Sequence, residues 1–349
     1  MKRVAIVSTE GGGGVKTTIR KLHEGLTLVG HHTDLFIVGS NTFSLNGLAT
    51  LKIDVKLFGK LENYDTVLYM NSVPLPDSFL LAGPRRGLFV HGYVNSELMY
   101  DIKDGFALTK LRAAFLLSYR RIATRFPEPP DYCIYRCESA READNVKCAS
   151  ILLPEFVLPR EVLSFLGNPS PPLIREKRKP RIVAYLQPVD SPRTLQLQHI
   201  IKLATILQSE VRGGVEFTII NFKSFGNVNR DIKLVKFMPR NAFLEFLRSS
   251  DLYLERLADE ELGNISIDAG LLGVPVAKLT LSRYLSKCDY RRDEVLQGSS
   301  LTELSSVLAN YFNNKSMTAE ALVSNYRSFL LSKRSWKAAS RNLVGKIES

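Results

Sequence analysis

No stretch of this sequence reaches the roughly 18 uninterrupted apolar residues of a membrane-spanning helix. The apolar run near its start, Val4-Ala5-Ile6-Val7, is also shorter than the roughly 7–15 residues of a secretory signal core, and it reads instead as a buried strand. Cysteine is scarce, with Cys133, Cys137, Cys148 and Cys288 as the whole set. They show neither a C-x-x-C spacing nor a companion histidine cluster, which argues against a zinc site and against a disulfide framework and fits a reducing cytoplasm. Low-complexity tracts and repeats of solenoid length are missing too. Acidic residues are the minority charge: 35 Asp and Glu against 47 Lys and Arg leave a net charge of +12. That excess favours an anionic partner such as a phosphorylated ligand, an acidic membrane face or nucleic acid. The basic residues are spread along the chain without the aromatic interleaving of an RNA-binding surface, so nucleic acid is the least favoured of the three.

What is present is an ordinary globular composition, 45% hydrophobic and 23% charged, in a chain of 349 residues, long enough for two domains. Short apolar runs alternate with helix-length segments, the pattern of βαβ units and a mainly parallel sheet. Strands are expected at 3–8, 33–38, 66–70, 87–90, 132–135 and 150–153. A first helix over 17–29 carries Ile19, Leu22, Leu26 and Val29 on one face. Residues 166–180 break the pattern with Pro169, Pro171, Pro172 and a charged run, as an interdomain linker would. It then restarts, with strands at 181–185, 216–221, 232–236, 252–255 and 274–279 and helices at 195–207, 241–248 and 265–272. The expected organisation is a first Rossmann-like domain over 1–165, a linker over 166–180, a second Rossmann-like domain over 181–330 and a helical tail over 331–349 that can return to the first domain. Two such halves imply a cleft, with ligands at the carboxyl ends of the strands.

Glu10-Gly11-Gly12-Gly13-Gly14-Val15-Lys16-Thr17-Thr18 follows the first strand and opens the first helix. Such a loop lets backbone N–H groups approach a phosphate. Its tail resembles the phosphate loop of ParA-like ATPases, but Val15 stands where that motif needs glycine before the lysine. Gly13 and Gly14 are therefore read first as part of a loop facing a donor or an acceptor, second as a plain turn, and third as an ATP site.

A sharper pattern runs from Glu260 through Leu262, Gly263, Asn264, Ile265 and Asp268 to Gly273-Val274-Pro275-Val276. Gly263 and Asn264 stand at a helix start, where N–H groups and the helix dipole favour a diphosphate. Glu260 precedes that helix, in reach of sugar hydroxyls, and Asp268 lies about one turn in, where it can accept both ribose hydroxyls as acids do in dinucleotide folds. The segment resembles the E-x7-E region of retaining GT-B glycosyltransferases, particularly the large family four. Asp268 takes the place of the second glutamate and is one methylene shorter.

Other places line up in the order that family requires. His91 follows the apolar Leu88-Phe89-Val90, at the position of the histidine that lies against the donor sugar. Residues 132–142 and 151–157 resemble the scaffold leading out of the first domain. Arg193, in the loop after strand 181–185, stands in for the cation on the donor diphosphate, while the arginine expected upstream is replaced by Gln187 or a neighbour. Phe237, before helix 241–248, lies in the segment that meets the nucleotide base through its backbone.

The resemblance implies a GT-B fold, two Rossmann-like domains facing a central cleft, and a hexosyltransferase-like enzyme that moves a sugar from a nucleotide-sugar donor to a glycan, lipid-linked or protein acceptor. It implies retention of configuration and no metal or other cofactor. In that reading Glu260 and His91 are catalytic, and Gly13, Gly14, Arg193, Phe237, Gly263, Asn264, Ile265 and Asp268 bind the donor. The basic segment 108–125, with Lys110, Arg112, Arg120, Arg121 and Arg125 beside Leu108, Leu111, Phe115, Leu116 and Ile122, suits an anionic membrane surface as well as it suits a solvated helix face. The setting implied is the cytoplasm, with the inner membrane face as the place of any peripheral contact. A ParA-like ATPase and a basic nucleic-acid-binding protein are the competing classes.

Overall fold

The computed structural model describes residues 1–9, 13–38, 60–70, 85–90, 130–143, 148–166, 179–186, 194–220, 226–255, 261–314 and 319–349. These divide into two compact units. Unit 1 comprises Met1–Pro154 and Trp336–Ser349, and unit 2 comprises Glu155–Ser335. The change of unit thus falls at Pro154/Glu155 rather than within 166–180, and residues 155–166 group with the second unit. The prolines at 169, 171 and 172 lie outside the described residues.

Unit 1 is built on a parallel six-stranded sheet in the order β2-β1-β3-β4-β5-β6. Its strands are β1 (Arg3–Thr9), β2 (His32–Val38), β3 (Thr66–Met70), β4 (Arg86–Val90), β5 (Tyr132–Tyr135) and β6 (Ala149–Leu152). Val4, Ala5, Ile6 and Val7 are all buried, as are all five residues of β3. A parallel strand covered on both faces reads as a continuous apolar run for this reason. Helix α1 (Gly13–Leu28) follows β1 and buries Ile19, Leu22 and Leu26. Gly13 and Gly14 are its first two residues and not part of a turn. Val29, expected on the same buried face, is exposed because the helix has ended and the chain reverses at Gly30, whose φ is 89°. Helix α2 (Glu138–Ala143) follows β5.

Cys133 on β5 is disulfide-bonded to Cys148, immediately before β6. This corrects the expectation from cysteine spacing. The two residues are 15 apart in sequence, but the pairing of β5 with β6 brings their Cα atoms to 6.0 Å. Sequence spacing carries no information about that pairing.

Unit 2 opens with α3 (Pro159–Leu166) and holds a seven-stranded sheet in the order β13-β12-β11-β7-β8-β10-β9. Its strands are β7 (Arg181–Tyr185), β8 (Glu216–Ile220), β9 (Gly226–Asn229), β10 (Ile232–Val235), β11 (Leu252–Leu254), β12 (Val276–Leu279) and β13 (Leu296–Gly298). Only β9, at one edge, runs antiparallel. Alternate residues of β7 and β11 face two separate cores. Ile182, Ala184, Leu252 and Leu254 join α4 (Thr194–Glu210) and α8 (Leu301–Asn314) through Leu203, Leu207, Leu304 and Leu308. Val183 and Tyr253 join α5 (Arg240–Arg248), α6 (Asn264–Leu272) and α9 (Ala319–Lys333) through Leu247, Ile267 and Leu330. A short helix, α7 (Ser282–Leu285), follows β12, and α10 (Trp336–Ala339) and α11 (Arg341–Glu348) complete unit 1. No helix among the described residues is long and apolar enough to cross a membrane.

Both sheets have a switch point where successive connections leave in opposite directions. In unit 1 it lies between β1 and β3, and in unit 2 between β7 and β11. Ligands in open parallel sheets bind outside the carboxyl ends of the strands at such points.

Candidate functional site at the head of helix α6

The switch point of unit 2 sets the carboxyl ends of β7 and β11 side by side, and the chain goes on from them to α4 and α6. Arg193 lies before α4 and Glu260 before α6; both fall outside the described residues, as do His91 and the segment 108–125. The connection from β11 to α6 can be followed at both ends. Glu255, at the close of β11, is 2% exposed, and its Oε2 accepts the Gly263 N–H at 3.0 Å and the hydroxyl of Ser266. A buried carboxylate here satisfies donors that a helix start leaves without intrahelical partners. It also ties the head of α6 to the end of β11.

Gly263 is the cap of α6, with extended backbone and no side-chain capping bond. Residues 263–265 are half-buried, whereas Ser266, Ile267 and Asp268 are buried. The amino end of α6 is therefore accessible for about one turn, and its dipole favours negative charge there. Asn264 is held from the side: its Nδ2 donates to Glu155 Oε1 at 2.7 Å, and Arg334 Nη1 donates to the Glu155 carbonyl at 3.2 Å. Ile265 packs partly against the core of unit 2.

The far end of α6 explains the tail of the motif. Gly273 caps the helix with φ 87°, the left-handed region that favours glycine. Val274 N–H then bonds back to the Ala269 carbonyl at 2.8 Å, and the Pro275 carbonyl accepts from Tyr253 N–H at 2.9 Å, which starts β12 beside β11. Arg327 donates to the carbonyls of Gly270 and Leu271 at 3.0 and 2.9 Å, satisfying groups that the helix end leaves open. Gly270 lies under Tyr326, where a Cβ would come within 2.5 Å of the ring. The helix is thus set in place at both ends and pressed on its back.

Asp268 is 2% exposed, and its Oδ1 accepts from Arg240 Nη2 at 2.9 Å. A carboxylate open to two hydroxyls is the expectation from the sequence; the structure supplies one that already carries a guanidinium. Burial is the main reason the Tyr253 phenol sits well above its usual pKa, and the nearby charges of Glu255 and Asp268 push it the same way. Phe237, between β10 and α5, is 66% exposed.

The structure therefore brings Gly263, Asn264, Ile265 and Asp268 together on one helix, with Arg240 attached. Gly13 and Gly14 belong to the other unit, at the carboxyl end of β1. Glu155, Glu255 and Arg334 escaped sequence reasoning. Glu255 reads as the last residue of an apolar strand, and Glu155 is more than 100 residues from the Asn264 it holds. Arg240 did leave a signal, as a cation at the first position of a helix.

No family model matches the chain, and no curated protein matches it in sequence. Solved structures do. An alpha-glucosyltransferase in complex with UDP and a 13-mer DNA containing a central A:G mismatch superposes with a TM-score of 0.66 at 10% identity, over 100% of both chains. Anabaena Alr3699/HepE in complex with UDP-glucose gives 0.63 at 14% identity, again over 100% of both. WaaG, a glycosyltransferase involved in lipopolysaccharide biosynthesis, gives 0.59 at 14% identity over 97% of this chain and 98% of its own. At such identities the likeness defines the fold, and the fold is GT-B: two Rossmann-like units with mainly parallel sheets. A phosphate-loop ATPase is not favoured, since the whole two-unit architecture is accounted for by these glycosyltransferase structures.

Proposed function

We propose that the chain is a glycosyltransferase that moves a hexose from a nucleotide-sugar donor to a glycan, lipid-linked or protein acceptor, with retention of configuration and without a metal. The single observation that carries this reading is the half-open amino end of α6 at the switch point of a GT-B sheet, in register with the carboxylate motif. The N–H groups of Asn264 and Ile265 take the donor diphosphate, assisted by Arg193, while the Gly263 N–H stays with Glu255 and Gly263 lets the backbone approach the phosphates. Asp268 holds the ribose, the backbone at Phe237 meets the base, and Glu260 orients the sugar. His91 contacts the sugar, and Gly13 and Gly14 face the donor or the acceptor. The bond from the anomeric carbon to the diphosphate breaks as the acceptor oxygen bonds to that carbon from the same face. Helix dipole and arginine stabilise the charge that appears on the leaving diphosphate. The UDP and UDP-glucose bound by two of the similar structures support this class of donor. The proposed setting is the cytoplasm, with segment 108–125 resting on an anionic membrane where a lipid-linked acceptor resides.

The test is release of nucleoside diphosphate from UDP-, GDP- and ADP-sugars without acceptor. The expected result is slow hydrolysis of one of them, unaffected by chelator and reduced by about 100-fold or more in Glu260→Ala. Magnesium-dependent ATP hydrolysis that requires Lys16 would replace this reading with an ATPase.

A further inference from the structure

Arg240 is out of place by the rules of its own helix. It is the first residue of α5, a helix with no acidic residue in its first turn and no side-chain cap. A cation there opposes the helix dipole, so Arg240 does not serve the helix it starts. Its guanidinium reaches across to α6 and bonds Asp268 at 2.9 Å. The two ends of this pair differ in surroundings: the Asp268 side chain is 3% exposed and that of Arg240 is 49% exposed. A buried acid is thereby given an outward-facing cationic extension, three residues beyond the exposed Phe237.

We propose that Arg240 is a specificity-determining residue of the donor site and that it reads the ribose diol together with Asp268. The proposal rests on the donor reading above. Each ribose hydroxyl can both donate and accept, an ionised carboxylate only accepts, and a guanidinium only donates through five N–H groups. With one N–H spent on Asp268, Arg240 retains donors for a hydroxyl oxygen, and Asp268 retains lone pairs for a hydroxyl proton. One hydroxyl donates to the acid and its neighbour accepts from the cation. The aspartate, one methylene shorter than the glutamate of the family pattern, is extended by the arginine rather than by its own length.

The experiment is equilibrium binding of UDP, ADP and GDP, each beside its 2′,3′-dideoxy form, to the wild type, Arg240→Gln and Arg240→Lys. The wild type should prefer the ribose form of its nucleotide by about 100-fold, two hydrogen bonds to charged groups at about tenfold each. Arg240→Gln should lose about tenfold for the ribose form only and bind the dideoxy form as before, so its preference falls to about tenfold. Arg240→Lys, which keeps the charge without the planar fork, should fall between them. A purely structural ion pair predicts that both forms weaken together and the preference stays at its wild-type value in both variants; that result overturns the proposal. Because the preference is a ratio within one protein, loss of stability in Arg240→Gln does not mimic it, and Arg240→Lys supplies the same ratio if the glutamine variant does not fold. A wild type that binds a diphosphate without preferring ribose sinks this proposal alone, whereas one that binds none of the three sinks the donor reading with it.

Discussion

Asp251 and Arg181 exchange two hydrogen bonds at the amino edge of the second sheet. The Arg181 N–H donates to Asp251 Oδ2 at 2.7 Å, and the Asp251 N–H donates to the Arg181 carbonyl at 2.9 Å. The same device recurs in the first sheet. Asp65 takes the Arg3 N–H at 2.7 Å, and Asp131 takes the Arg86 N–H at 2.6 Å. In each case an aspartate just before one strand fixes the first residue of its neighbour, at the edge opposite the carboxyl ends of the strands.

Removing that fastening should cost stability and spare the chemistry. Asp251→Ala leaves the part-buried Arg181 N–H without its acceptor, worth about 1 kcal/mol. Urea unfolding should show a lower midpoint with an unchanged slope, while the nucleotide affinity of the folded variant stays at the wild-type value.

Two glycines should respond in opposite directions to the same substitution. A Cβ on Gly25 would lie 2.5 Å from the Trp336 ring, whereas Gly345 has nothing within 4 Å. Gly25→Ala should destabilise by about 1–3 kcal/mol through overpacking. Gly345→Ala, inside α11 with ordinary helical space around it, should stabilise by about 0.5–1 kcal/mol. Thermal melting of the two variants beside the wild type decides both.

Stability should fall on acidification because of His31. Its Nδ1 accepts from the Lys2 N–H at 3.3 Å, and Nε2 lies 3.8 Å from the Glu348 carboxylate. Burial outweighs that carboxylate and holds the imidazole pKa below its ordinary value of 6.5. The unfolded chain therefore takes up the proton first as pH drops through about 6.5, and the folded state loses stability from there down to the folded-state value. Urea midpoints compared at about pH 7.5 and about pH 5.5 should differ by less in His31→Gln than in the wild type.

Thiol counting tests the bond between Cys133 and Cys148. Denatured without reductant, the protein should expose only the thiols of Cys137 and Cys288. All four cysteines should react after reduction. With the bonded pair 15 apart in sequence, reduction should also lower stability by about 3 kcal/mol.

The strands were the most legible part of the fold, because a parallel strand buried on both faces writes itself as an apolar run. Residues 66–70, 132–135 and 181–185 match β3, β5 and β7 end to end. Edge strands β9 and β13 carry no such run and were missed; Gly226-Asn227-Val228-Asn229 is polar. The end of the helix in the carboxylate motif was legible from Gly273, since its left-handed cap favours glycine. Its supports were not. Glu155, Glu255 and Arg334 act across folds of the chain, and only tertiary structure brings a carboxylate at 155 to an amide at 264. The pairing of Cys133 with Cys148 was hidden for the same reason.

Unit 1 draws on both ends of the chain, and this sets an order of events during synthesis. The ribosome delivers β1 and α1 early, yet the indole that rests on Gly25 belongs to residue 336. Glu155–Ser335 is contiguous and can close in one pass as it emerges. The half translated first is therefore finished after the other, with its tryptophan seat vacant until residue 336 has been made.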